Sequence, residues 1–214
     1  MSSLTMRPRV LIADDHSVVA EGLRSLLEAQ CEVIGVVSNG RELLSEAPAL
    51  KPDVIILDIG MPLLNGLDAA QRLASILPKT KFVFLTMQDD ANLAAAALNL
   101  GPVGYVLKHA ATSELLTAIS SVLQGKSFVT AKVKTENRFD REMRARQFSK
   151  ELSPRQKDVL QLLAEGRHMK EIAETLKVSE KTVMFHKYRI MDSFNLKSNA
   201  ELVLFAIKHH LISP

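Results

Sequence analysis

The chain has 214 residues, 47% hydrophobic and 24% charged, with a net charge of +3; that suits one large or two small soluble domains with real cores. No apolar run reaches the ~18 residues of a membrane helix, and the polar start Met1–Pro8 lacks a signal-peptide core. A single cysteine, Cys31, excludes an internal disulfide, so a cytoplasmic protein with no membrane partner is expected.

In chain order, Arg9–Ala13 is predicted as a strand, and His16–Gln30 carries Val19, Leu23, Leu26 and Leu27 at helical spacing. Val33–Val37 is a second strand, and Arg41–Leu50 a helix stopped before Pro52. Val54–Leu57 is wholly apolar, as a central parallel strand covered on both faces must be. A helix over Leu67–Leu77, a strand over Phe82–Leu85, and an alanine-rich helix over Asn92–Leu100 with Gly101 as its C-cap follow. Gly104–Leu107 is the fifth strand and Thr112–Leu123 the fifth helix. Five β–α units predict an α/β doubly wound, five-stranded parallel sheet of flavodoxin-like type over residues 8–124, after a tail of residues 1–7.

Residues 125–150 lose this periodicity and read as a linker, partly helical around Phe139, Met143 and Phe148, with Asp140–Arg144 and Glu142–Arg146 as i,i+4 pairs. Residues 151–214 read as an all-α, four-helix domain. Ser153, Pro154 and Gln156 form a helix start with a capping box. Met169–Leu176 is a short helix, Lys177 and Val178 turn the chain, and Ser179 caps a longer helix to Phe194. Asn199–His210 is the fourth helix. A short helix, a tight turn and a longer helix are the parts of a helix-turn-helix. Charge follows the same division: nine Lys/Arg against 13 Asp/Glu in residues 1–123, eight against three in 124–150, and ten against eight in 151–214. The basic rear is the candidate for a polyanion such as nucleic acid.

In a doubly wound sheet the strands' C-terminal ends gather at one edge and form the binding site. Here they deliver Asp14 and Asp15, Asp58, Thr86 and Lys108. Three carboxylates at one edge repel, so a cation must join them; Mg2+ suits oxygen ligands and keeps a place for phosphate. Asp58 is then a nucleophile able to form an aspartyl phosphate, with Lys108 and Mg2+ stabilising charge and Thr86 bonding a phosphoryl oxygen. A bonded Thr86 would move inward and vacate space behind it. Taken singly, each group has a plainer reading: an Asp-Asp pair as helix cap, Asp58 as a turn residue, Lys108 as a solvated charge. His16 is expected at the first helix's N-terminus rather than on a metal.

Asp14-Asp15, the run Asp58–Gly66, Leu85-Thr86 and Tyr105–Lys108 together resemble the receiver domain of two-component response regulators. The resemblance implies Asp58 as phosphoacceptor and Mg2+ held by Asp15, Asp58 and the Gly60 backbone carbonyl, with Asp14 acting through water. It implies Thr86 and Tyr105 as the switch pair and a sensor histidine kinase as partner.

Leu152–Arg155, Leu163–Gly166, Lys170–Ala173, Lys181–Val183, His186 and Ile190-Met191 resemble the LuxR-type helix-turn-helix, and the two domains in this order are similar to the NarL/FixJ family. The resemblance implies that the helix after Ser179 enters the major groove of double-stranded DNA. On a helical wheel Val183, Ile190 and Phe194 face inward with His186 and Met191 beside them. The outer face holds Lys181, Phe185, Tyr188, Arg189 and Asp192, with Thr182 and Met184 at its edges. Lys181, Lys187 and Arg189 are assigned to phosphates, and Met184, Phe185 and Tyr188 to thymine methyls or sugars. Phe185 packing on a partner or on the receiver is the other reading. His186 is expected to be buried and hydrogen-bonded. The fourth helix, with Leu202, Val203, Phe205 and Ala206, is either ordinary core or, as in the family, a homodimer contact.

The expected function is a phosphorylation-switched transcription factor and not an enzyme. The rivals are a DNA binder with a silent receiver and an aspartyl-phosphate phosphatase. Such a phosphatase carries a second aspartate two residues after its nucleophile, where this chain has Gly60.

Overall fold

A computed structural model describes residues 7–87, 89–131, 133 and 152–212. The first half folds as β1 (Arg9–Ala13), α1 (Ser17–Leu27), β2 (Glu32–Val37), α2 (Gly40–Leu50), β3 (Val54–Asp58), α3 (Gly66–Ile76), β4 (Lys81–Thr86), α4 (Ala91–Leu98), β5 (Val103–Leu107), α5 (Ala111–Leu123) and β6 (Phe128–Val129). The strands lie in the order β2-β1-β3-β4-β5-β6, every pair parallel. The order reverses between β1 and β3, which opens a crevice beyond their C-terminal ends.

Burial follows from the pattern of apolar residues. All five residues of β3 are buried, because apolar layers cover both faces of the sheet. One face packs Leu11, Ile55, Leu57 and Phe84 under α2, α3 and α4, through Leu43, Ala69, Leu73 and Leu93. The other packs Val10, Ile12, Val54 and Ile56 under α1 and α5, through Leu23, Leu27, Leu115 and Ile119. α4 ends at Leu98 with Asn99 as its C-cap, two residues short of the expected Leu100, and Gly101 takes its positive φ of 105° in the turn beyond.

The sheet gains a sixth strand from the stretch read as linker. β6 pairs with β5 at Gly104–Phe128 and Tyr105–Val129. Thr130 extends the contact: its N–H donates to the Tyr105 carbonyl at 3.0 Å, and its hydroxyl accepts from Leu107 N–H at 3.2 Å. Two residues are too few for a period-2 pattern to register. The helix expected around Phe139, Met143 and Phe148, and the residues 1–6 of the tail, lie outside the described residues.

The second half is all helical: α6 (Pro154–Ala164), α7 (Met169–Leu176), α8 (Glu180–Ser193) and α9 (Asn199–Lys208). The capping box of Ser153 and Gln156 forms in both directions. Ser179 caps α8 by accepting from Thr182 N–H. Val159, Leu162, Ile172, Leu176 and Val183 bind α6, α7 and α8 into one cluster. Leu160, Ile190, Leu202 and Ala206 hold α9 on the other side.

Candidate functional site

The strand ends converge as the topology requires. Asp14 and Asp15 follow β1, Asp58 and Thr86 close β3 and β4, and Lys108 follows β5. Lys108 Nζ lies 2.8 Å from both Asp14 Oδ2 and Asp58 Oδ2. Burial alone would lower the lysine's pKa, but its hydrogen bonds to Asp14 and Asp58 outweigh that and raise it. The Gly60 N–H donates to Asp58 Oδ1 at 3.2 Å.

One oxygen each of Asp14, Asp15 and Asp58 and one ring nitrogen of His16 lie within 4.8 Å of one another. A carboxylate-rich set of this span has the donor chemistry of a hard divalent cation. His16 sits at the N-terminus of α1 as expected. Its ring was not expected in the cluster: Nδ1 is 3.2 Å from Asp14 Oδ1 and 3.0 Å from Asp15 Oδ1.

Thr86 and Tyr105 are both buried, on the neighbouring strands β4 and β5. Burial raises the phenol's pKa, so it stays protonated. The loop from Ile59 to Asn65 wraps against the site. It is pinned where Gly66 N–H donates to the Ile59 carbonyl at 3.0 Å. A Cβ on Gly66 would lie 2.1 Å from the Asp58 carbonyl oxygen, so only glycine fits. Within the loop Leu63 adopts a left-handed conformation, φ 64°, which costs a non-glycine residue about 1–2 kcal/mol.

The outer face of α8 is open. Phe185, Tyr188 and Met184 are 56%, 63% and 45% exposed, so Phe185 does not pack on the first domain. Lys181 and Arg189 are exposed beside them, with Thr182 and Lys187 half-buried. The Arg189 guanidinium lies 5.8 Å from the Phe185 ring centroid, a cation–π contact. Val183 and Ile190 are fully buried, as the wheel requires. His186 departs from expectation. Its Nδ1 is buried without a hydrogen-bond partner among the described residues, and burial together with Arg155 and Arg189 lowers its pKa.

Comparison with known proteins matches both halves. Residues 10–120 match the model of the response regulator receiver domain, and residues 150–206 that of the bacterial regulatory proteins of the luxR family. The chain belongs to the response regulators. It is a DNA-binding, two-component response regulator of the NarL/FixJ type, a family of transcriptional regulators rather than enzymes. It is 38% identical over 215 residues to the oxygen regulatory protein NreC of Staphylococcus epidermidis, covering 95% of this chain and 99% of that one. It is 41% identical over 206 residues to a putative transcriptional regulator of Pseudomonas aeruginosa, covering 95% and 99%. Among solved structures, RcsB of Salmonella enterica serovar Typhimurium bound to promoter P1flhDC with phosphomimetic BeF3- shares 29% identity at a TM-score of 0.60, covering 97% of this chain and 100% of that one.

The response regulator's two halves also touch, through residues to which the sequence reading gave no such role. Asp158 and Gln161 on α6 and Glu165 at its C-cap share one face at spacings of three and four, and that face meets α3 and the Ile59–Asn65 loop. Asp158 is ion-paired to Arg72 at 2.6 Å, with Arg41 at 3.8 Å, and Lys157 meets Asp68 at 3.0 Å. Gln161 Nε2 donates to the Met61 carbonyl at 3.1 Å, and its Oε1 accepts from Asn65 N–H at 3.0 Å. Glu165 Oε1 accepts from Leu63 N–H at 2.9 Å. Burial raises the Glu165 carboxyl's pKa. Leu63 itself packs on the α6–α8 cluster. At the far end of the chain, His210 Nε2 meets Asp90 Oδ2 at 3.0 Å. Asp158 and Gln161 are almost wholly covered, an uncommon state for polar side chains that their sequence positions do not reveal.

Proposed function

We propose that phosphorylation of Asp58 switches this response regulator between DNA-binding states. The observation that carries the proposal is the Lys108 ammonium placed 2.8 Å from both Asp58 and Asp14: a fixed positive charge beside a nearly buried carboxylate at the crevice of the sheet. The phosphoryl donor is a phosphohistidine of a partner sensor kinase. A carboxylate oxygen of Asp58 attacks phosphorus, the P–N bond breaks as the P–O bond forms, and the imidazole leaves with the electron pair. Lys108 stabilises charge on the phosphoryl oxygens. Mg2+, held by Asp15, Asp58 and the Gly60 carbonyl with Asp14 acting through water, would supply further neutralisation when bound. Thr86 turns toward a phosphoryl oxygen and vacates space beside the buried Tyr105. That movement carries the signal away from Asp58.

The output is DNA binding through α8 in the major groove. Lys181, Lys187 and Arg189 contact phosphates and set affinity, and Met184, Phe185, Tyr188 and Thr182 face the base edges. The similarity to RcsB in its DNA complex, 30% identical over 93% of this chain with a TM-score of 0.56, supports DNA as the ligand. Leu204 on α9 is 65% exposed, which favours α9 as the contact of a homodimer. No helix among the described residues is long and apolar enough to cross a membrane, and the reading places the protein in the cytoplasm. The assignment covers residues 8–124 as receiver with β6 at Phe128–Val129 added to its sheet, the rest of 125–150 as linker and 151–214 as DNA-binding domain.

Incubation with a small phosphodonor and Mg2+ is expected to add one phosphate to the wild type and none to Asp58→Asn, with DNA affinity raised only in the wild type. Phosphate on the Asp58→Asn protein, or DNA affinity indifferent to the donor, would refute the switch.

A further inference from the structure

We infer that the DNA-binding domain braces the phosphorylation site: Gln161 on α6 and Glu165 at its C-cap are positioning residues for the loop that follows Asp58. This rests on Asp58 as the phosphoacceptor. Three polar backbone groups of the loop are claimed by those two side chains. The Met61 carbonyl accepts from Gln161, Asn65 N–H donates to Gln161, and Leu63 N–H donates to Glu165. Gln161 Nε2 also donates to Glu165 Oε1 at 2.9 Å, which locks the pair together. Gln161 is 1% exposed, so water does not compete for its bonds.

Between those anchors Leu63 stands in the left-handed region. Such a conformation persists where surrounding contacts over-determine it. Here the contacts come from the other domain: Glu165 holds the Leu63 N–H, and the α6–α8 cluster seats its side chain. The loop joins Asp58 to α3 and includes Gly60, whose N–H already binds Asp58. Fixing the loop from outside preorganises the groups around the carboxylate, and preorganised groups bind more tightly.

The second loop beside the site is gripped from the same domain. β4 ends in Thr86, and Asp90 a few residues on caps α4 and bonds His210. The recognition face of α8 stays exposed while these contacts are made. Docking therefore acts on the chemistry at Asp58 without covering the DNA-facing surface.

The test is calorimetric titration of the full chain with Mg2+, then with beryllium trifluoride as phosphoryl analogue, for the wild type, Gln161→Ala, Glu165→Ala and the conservative Glu165→Gln. Both alanine variants are expected to weaken Mg2+ and analogue binding about tenfold, the lower end of the range set by outer-shell partners of metal sites. Glu165→Gln, which keeps an acceptor for Leu63 N–H, should recover most of the loss. DNA affinity without phosphodonor should stay at the wild-type value, which a merely structural role on α6 would not allow. Equal or tighter ligand binding in the alanine variants, with the wild type binding through Asp58, would overturn the inference and leave the phosphoacceptor reading standing. Analogue binding in neither the wild type nor any variant would instead overturn that underlying reading.

Discussion

At the scale of single residues, the site is a problem of charge at close quarters. Asp14 and Asp58 are almost covered, and one ammonium serves both; uncompensated carboxylates in that position would be costly. Asp90 shows how a distant residue sets a local property. Its pKa is lowered to about 2, first by the hydrogen bond from His210, against burial and with help from Asn92 and Leu93 N–H groups. Since the folded value is depressed, its contribution to stability is complete above the ordinary carboxylate pKa of about 3.9 and is lost as pH falls through about 2. In His210→Ala the Asp90 titration, followed by carboxyl-carbon NMR, should move up toward the ordinary value. An unmoved titration would assign the shift to the backbone bonds at the start of α4. Gly66 is a second residue-scale case. Gly66→Ala forces a Cβ onto the Asp58 carbonyl and should cost about 1–3 kcal/mol, as overpacked sites do, measured by denaturant unfolding. A change within a few tenths would mean that the loop relaxes freely.

At the scale of elements, α8 separates packing from recognition. Its inward stripe of Val183 and Ile190 is fully buried, and its outward face is more apolar than basic. On the proposed placement, phosphate contacts are few, and each carries a large share of the electrostatic term. Lys181→Ala should weaken binding to all DNA sequences and reduce the salt slope by about one. An unchanged slope with an altered sequence preference would show that Lys181 reads bases. The sixth strand is the other lesson of this scale. Phe128 and Val129 bind the start of the stretch read as linker to β5, so the first domain extends further along the chain than composition implied.

At the scale of the whole molecule, the two halves meet through a mostly polar surface. Arg41, Arg72 and Arg155 gather around Asp158, at 3.8, 2.6 and 3.9 Å. Arg41 keeps Nε buried without a hydrogen-bond partner among the described residues, as does Glu165 Oε2. Polar contacts that are incompletely satisfied lose little when water replaces them, so such an interface separates more readily than an apolar core. Asp158→Ala should let the halves part, and small-angle scattering should report a larger radius of gyration for the full chain. An unchanged radius would place the cohesion in Leu63 and Gln161.

Much of this was legible in the sequence because it follows from local rules. The apolar run Val54–Leu57 had to be a covered parallel strand, and Ser153-Pro154 had to open a helix. Strand ends in a doubly wound sheet had to bring Asp14, Asp58, Thr86 and Lys108 to one edge. Those inferences need only the period of the side chains and the handedness of βαβ units. Only the tertiary structure decided the rest. It put the His16 ring between two carboxylates, left His186 Nδ1 without a hydrogen-bond partner among the described residues, and joined Gln161 to Met61 and Asn65 across about a hundred positions of sequence. No periodicity encodes which polar side chain will meet which backbone group of a distant loop. That choice is made by docking, where the cost of burying each polar group is offset only by the partner that happens to face it.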